Sequence, residues 1–230
     1  MLKPFLLFLK KDLVIEYRHK EFFLTALSFA LFIGVLIGLS VANAFIAADT
    51  ITRIFPTLFW LGAFFLSILS IGRSYACEDR LKAPRAFQSD PTLITAFFLA
   101  KITSACLTTI LAHAIFLLTL SVLLNMHSLH IVFFLPLIVL YSIGFTTLGI
   151  FLTALTASAP SAASLFGLLI LPLLFPLFFA ASELTHIIIS AQELGPLQHL
   201  LESPWLTLLA LIDGIYIFIA TLLFPAAIKE

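Results

Sequence analysis

Asp213 is the one carboxylate inside the apolar run Trp205–Ile228. A charge at the centre of a bilayer costs about 2.5–3.5 kcal/mol on insertion scales, so an ionisable group in such a run is a candidate for function. This carboxylate could exchange protons, contact a substrate or pair with a polar neighbour. The bland role for a lone carboxylate is helix packing or an interface. Pro172 and Pro176 share one face of a second apolar run, Ser161–Ala181. Each lacks an N–H, so a kink or local opening is expected there, as a moving element or as a static bend.

The histidines carry less. His113 lies inside an apolar run, His127 and His130 share a short turn, His186 and His199 sit in one connecting segment, and His19 precedes the first apolar run. Paired imidazoles can ligate a metal. Their spacing here fits no metal-site template, no carboxylate or cysteine accompanies them, and no metal site is expected. Polar residues at a helix-capping turn explain His127 and His130. Cys77 and Cys106 are the only cysteines and form no CxxC pair, so neither a disulfide nor a thiol redox motif is expected. The chain holds no HExxH, no GxSxG, no paired membrane aspartates and no Walker A sequence. No catalytic constellation follows, and any ATP hydrolysis coupled to this chain belongs on another one.

These residues sit in a chain whose solvent is mostly lipid. No Asp, Glu, Lys or Arg occurs between Ile102 and Ser182, and the whole chain is 62% apolar and 10% charged. Mean hydropathy is +1.17. A spanning helix needs about 20 mostly apolar residues. Six runs satisfy that length: about 22–48, 54–72, 102–124, 131–155, 161–181 and 205–228. The apolar runs do not alternate with polar residues, which excludes a barrel. The expectation is an all-α integral membrane protein with six transmembrane helices.

Basic residues orient it. Lys3, Lys10, Lys11, Arg18 and Lys20 precede the first run, and Arg73, Arg80, Lys82, Arg85 and Lys101 lie between the second and third. Lys229 follows the last run, and Arg53 alone falls on the opposite side. The positive-inside rule places both termini and the Arg73–Lys101 loop in the cytoplasm. The loop is long enough for a short helix lying across the membrane surface, or is a solvated topology signal. Leu2, Phe5, Leu6, Leu9, Leu13 and Tyr17 recur at helical spacing over residues 1–20, which predicts an amphipathic interfacial helix. Ser182–Pro204, broken at Gly195-Pro196, predicts two short helices half-buried at the outer interface. The formal net charge is zero and no basic patch is interleaved with aromatics, so no nucleic-acid partner is indicated.

Several segments together suggest a family. They are Phe55-Pro56-Thr57-Leu58-Phe59-Trp60, Arg73, Glu78-Asp79, Ala100-Lys101, Gly144-Phe145-Thr146-Thr147-Leu148-Gly149 and Leu171-Pro172-Leu173-Leu174-Phe175-Pro176. Their order and spacing in a chain of this length resemble the cytochrome c maturation protein B family over essentially the whole sequence. The resemblance implies an ABC-2-like permease of the bacterial inner membrane, paired as a homodimer and served by a separate cytoplasmic ABC ATPase subunit. It also implies a haem-handling membrane protein and a haem chaperone as companions, with haem as possible cargo and no cofactor assigned to this chain. Arg73, Glu78, Asp79 and Arg80 are the candidate ATPase-docking residues. Asp213, Pro172 and Pro176 are the candidate functional residues within the membrane. Where the family carries a Gly-Ser/Thr-Leu-Glu run before a Leu-Pro turn, Arg80–Pro91 reads Arg-Leu-Lys-Ala-Pro-Arg-Ala-Phe-Gln-Ser-Asp-Pro. That departure bears on the docking contact. A permease for a lipid, drug or polysaccharide, and a non-transporting assembly scaffold, stand as alternatives.

Overall fold

The computed structural model describes residues 2–18, 21–43, 48–81, 90–126, 131–156, 162–190 and 196–227, with residues 72–81 among those described as backbone only. These form the helices α1 (Leu2–Arg18), α2 (Glu21–Asn43), α3 (Ala48–Leu81), α4 (Pro91–Leu123), α5 (Ile131–Thr156), α6 (Ala162–Ser190), α7 (Pro196–Glu202) and α8 (Pro204–Ala227). No strand occurs among the described residues. Among the described residues, five helices are long and apolar enough to cross a membrane: Thr50–Ile71, Pro91–Leu123, Val132–Thr156, Leu165–Ser190 and Pro204–Ala227. The run expected as the first span gives a shorter apolar stretch, Leu27–Val41, within α2.

Two expectations are corrected. The Arg73–Lys101 segment is mostly helix continuous with its neighbours, since α3 runs on to Leu81 and α4 already begins at Pro91. The start of α4 has a local cause. Asp90 caps it, accepting from the Thr92 backbone N–H at 2.9 Å and from Thr92 Oγ1 at 2.6 Å, while Pro91 supplies a first-turn residue whose missing N–H costs nothing there. Those bonds hold the Asp90 carboxyl below its ordinary range. Lys101, expected to open a span, therefore lies well inside a helix. At its other end α4 stops at Asn125, which adopts φ 57°, a left-handed conformation that asparagine tolerates.

Second, Ser182–Pro204 is not two separate short helices. α6 extends through it to Ser190 because Ala181, Leu184, Thr185 and Ile188 continue its buried face. Only α7 is separate, and the Ser203 hydroxyl accepts the Trp205 N–H at 3.3 Å where α8 starts. The helix expected over residues 1–20 is present as α1, and its apolar side is divided. Leu2, Leu6 and Leu13 are exposed, Phe5 and Leu9 are half-buried, and Phe8 packs edge-on against Phe97 of α4 at 5.6 Å. The side chain of Tyr17 is outside the described residues.

α5 is the centre of the bundle, packing on α3, α4, α6 and α8. Its spanning stretch is 72% buried against 17% for α8. Rings fill the interior. Phe59 stacks on Phe116 at 5.8 Å and meets Phe134 edge-on, while Trp60 lies 4.5 Å from Tyr141. In lipid, helices associate through close packing and interhelical hydrogen bonds rather than apolar burial alone. Both devices are present. The Phe116 ring lies so close over Gly62 that a Cβ there would be 2.3 Å from it, and Trp60 Nε1 donates to Thr185 Oγ1 at 2.8 Å, tying α3 to α6. Outward faces are apolar: Phe218 and Leu222 on α8 are 70% and 67% exposed.

Candidate functional site

The buried side of α8 carries Leu209, Ile212, Asp213, Ala220 and Phe224. Asp213 is 4% exposed, and neither carboxylate oxygen has a hydrogen-bond partner among the described residues. It lies against α5 at Gly144, where an added Cβ would stand 2.1 Å from Asp213 Oδ1 and 2.7 Å from Leu177 Cδ1 of α6. Only a residue without a side chain lets the three helices approach this closely. One turn on, the Tyr216 hydroxyl donates to the backbone carbonyl of Leu173. That carbonyl lies between Pro172 and Pro176, which α6 accommodates without ending. Neither proline can donate to the carbonyl four residues back. Asp213 thus sits where α5, α6 and α8 meet, while on α6 Pro172 is exposed and Pro176 half-buried on either side of the Leu173 carbonyl that Tyr216 engages.

A second polar group joins α1 to α4. Asp12 and Lys101 are buried, at 4% and 5% exposure, with Lys101 Nζ 3.5 Å from Asp12 Oδ2. Lys11 Nζ lies 3.2 Å from the other oxygen of Asp12. One turn along both helices, Ser104 Oγ donates to Glu16 Oε1 at 3.2 Å. Burial pushes the Glu16 carboxyl up to about 7, opposed by the Ser104 hydrogen bond and the Lys101 charge.

His113 is a satisfied interior residue. Its Nε2 is 3.0 Å from the Ala63 carbonyl and 2.9 Å from Ser67 Oγ, and its Nδ1 is 3.3 Å from Ser142 Oγ. One tautomer serves all three helices: Nε2–H donates towards α3, and Nδ1 accepts from Ser142 on α5. His186 and His199 are exposed on α6 and α7, while His19, His127 and His130 lie outside the described residues. Among the described residues no group of three His, Cys, Asp or Glu could hold a metal ion.

The family described as CcmB protein matches residues 3–230. The chain belongs to the CcmB family. No individual curated protein matched it. CcmB membership makes the chain a membrane transporter subunit of haem transport and cytochrome c biogenesis. The CcmB family works with an ATPase and other maturation proteins in an ABC system, and the five apolar helices fit a multi-pass inner-membrane protein.

Within this CcmB chain, Arg73, Glu78, Asp79 and Arg80 fall on the last turns of α3. Their side chains, like residues 82–89 of the atypical Arg80–Pro91 segment, lie outside the described residues. Sequence reasoning missed the partners rather than the centres. Gly144 stood in the sequence as the first residue of the Gly144–Gly149 segment but not as the seat of Asp213. Tyr216, three residues after Asp213, was the available signal for a shared face. Asp12 and Glu16, one turn apart on α1, signalled a buried polar stripe that the apolar spacing of the same helix obscured.

Proposed function

We propose that this chain is the permease of an ABC complex in which ATP hydrolysis on a separate cytoplasmic subunit is converted into movement of α6 and α8 at the outer face. The movement releases the haem-loaded chaperone rather than passing haem through the interior of this subunit. The packing of that interior supports this output. Phe55, Phe59, Trp60, Phe116, Phe134, Tyr141 and Phe145 are all buried and fill the space between α3, α4 and α5.

The observation that carries the reading is the length of two helices. α3 has 34 residues and α4 has 33, each about 50 Å long at 1.5 Å per residue. A hydrocarbon core is about 30 Å thick. Their surplus is at the end of α3 that holds Arg73, Glu78, Asp79 and Arg80 and at the start of α4. The positive-inside rule assigns that end to the cytoplasm. The pair offers the ATPase a helical docking site, with Asp213, Pro172 and Pro176 as the yielding part of the bundle. The complex holds two copies of this chain, each with six spans and cytoplasmic termini.

Charge reversal tests the docking assignment: Glu78→Lys with Asp79→Lys, followed by recovery of the ATPase with the tagged chain and by cytochrome c yield. Both measurements are expected to drop together. Unchanged ATPase recovery with unchanged yield removes these residues from the docking site.

A further inference from the structure

α1 is fastened to the bundle by charge. It packs on α4, and the contact holds two polar rungs, Asp12 with Lys101 and Glu16 with Ser104. The residues are at helical spacing on both sides, so the rungs stack one turn apart. Two of the four are ionised groups removed from water, and a buried charge is tolerated only when it is paired. The opposite side of α1 is free of the protein: Leu2, Lys3, Leu6, Leu7, Lys10, Leu13 and Val14 are exposed. Apolar side chains interleaved with lysines on that side suit the boundary between headgroups and acyl chains.

Position along α4 gives the contact its significance. Lys101 lies about 15 Å from the start of the helix, where the charge-free run begins at Ile102. The polar rungs therefore grip α4 at the base of its surplus length, between the part that would meet a partner and the part that crosses the bilayer.

We propose that Asp12, Glu16, Lys101 and Ser104 are positioning residues that lock α1 and α4 into one lever, so that displacement of the projecting end of α4 is delivered to the bundle and to the leaflet on which α1 lies. This rests on the proposed ATPase-driven reading. It assigns the polar joint to transmission of the stroke, whereas Arg73–Arg80 serve attachment. Lys101→Met leaves Asp12 and Glu16 buried without the lysine and loosens the joint. Asp12 keeps Lys11 at 3.2 Å; adding Asp12→Asn removes the carboxylate side of the Lys101 pair as well, and Lys101→Arg retains the charge.

The test uses the full chain in membranes with the ATPase and the other maturation proteins co-expressed. ATPase recovered with the tagged chain, ATP hydrolysed and cytochrome c matured are measured for each variant. Lys101→Met is expected to retain the ATPase at the wild-type level while cytochrome c per ATP falls by about fivefold or more, the ratio that a small free-energy change produces. Lys101→Arg is expected to restore a substantial part of that ratio, whereas the Asp12→Asn/Lys101→Met double variant, with the ion pair gone, is expected to stay low. An unchanged ratio in Lys101→Met overturns the proposal, as does loss of the ATPase in step with cytochrome c, which would make the joint an attachment site. If Lys101→Met fails to accumulate, the double variant decides: a wild-type ratio with both charges removed overturns the lever, and a low ratio with the ATPase retained supports it. If the wild-type chain recovers no ATPase, the ATPase-driven reading fails and the lever falls with it.

Discussion

Asp213 on α8 closes directly onto Gly144 of α5: a methyl group at position 144 would stand 2.1 Å from Asp213 Oδ1. The neighbour on the third helix, Leu177 of α6, would be 2.7 Å away. The contact fixes how near α5, α6 and α8 can come. It also accounts for a glycine in the most buried of the five spans.

Gly144→Ala is therefore expected to wedge the junction open and destabilise the fold by about 1–3 kcal/mol, the usual range for overpacking. Gly167→Ala provides the contrast. Nothing lies within 4 Å of a Cβ built at Gly167, and alanine is the better helix former by about 1 kcal/mol. Thermal unfolding in mild detergent should show a lowered transition for the first variant and an unchanged or raised one for the second. Equal behaviour would contradict the close α5–α8 approach.

Asp213→Asn keeps the shape of the side chain and removes its ability to ionise. If Asp213 serves function and not packing alone, this variant should unfold at the wild-type temperature or above while cytochrome c yield drops. The expectation comes from the buried carboxylate oxygens with no hydrogen-bond partner among the described residues. Membrane-embedded carboxylates are costly to keep, and are most often functional where they are kept. Wild-type yield with a wild-type transition would reduce Asp213 to a packing residue.

The joint between α1 and α4 should depend on pH. Glu16 lies at about 7 when packed, raised from 4.5, so the packed state favours the protonated carboxyl. Its contribution is greatest below about pH 4.5 and is lost as pH rises through about 7. Lys101 and Asp12 are the described charged groups that act on it, and Lys11 pairs with Asp12. Hydrogen exchange of α1, corrected for the intrinsic effect of pH, should show stronger protection at mildly acid than at mildly alkaline pH. Glu16→Gln should flatten that difference. A slope retained in Glu16→Gln would mean another group carries it.

Trp60 and Thr185 offer a test of how α3 and α6 are held. Thr185→Val removes the acceptor at 2.8 Å and leaves the buried indole N–H unsatisfied, at a cost of about 1–3 kcal/mol. Thr185→Ser keeps the acceptor. The transition temperature should drop for valine and much less for serine. Equal losses would show that the threonine methyl, and not the hydrogen bond, sets the contact.

The helical class and most span positions were legible because lipid imposes a coarse rule: long apolar runs between charged ends. Two kinds of information were hidden. Helix ends at interfaces do not follow hydropathy, so α3 continues through charged residues to Leu81 and α6 continues through Glu183 and His186 to Ser190. The Asp90-Pro91 pair was a readable start signal for α4, passed over because it lay in a charged segment. Pairings between helices were the other gap. Lys101 reads as a topology signal in sequence and becomes an ion-pair partner only once Asp12 is brought beside it. His113 carried no role in the sequence because its hydrogen-bond partners, Ala63, Ser67 and Ser142, lie on other helices. Asp213, Pro172 and Pro176 stood out by type alone, and it took the fold to seat Asp213 against Gly144 and Leu177.

The central claim is that this chain works as the permease of an ATPase-driven maturation complex. Its most direct test is purification of the tagged chain in mild detergent, with mass spectrometry of what accompanies it. An ABC ATPase together with haem-handling maturation proteins is expected. A well-folded preparation that brings no ATPase would contradict it.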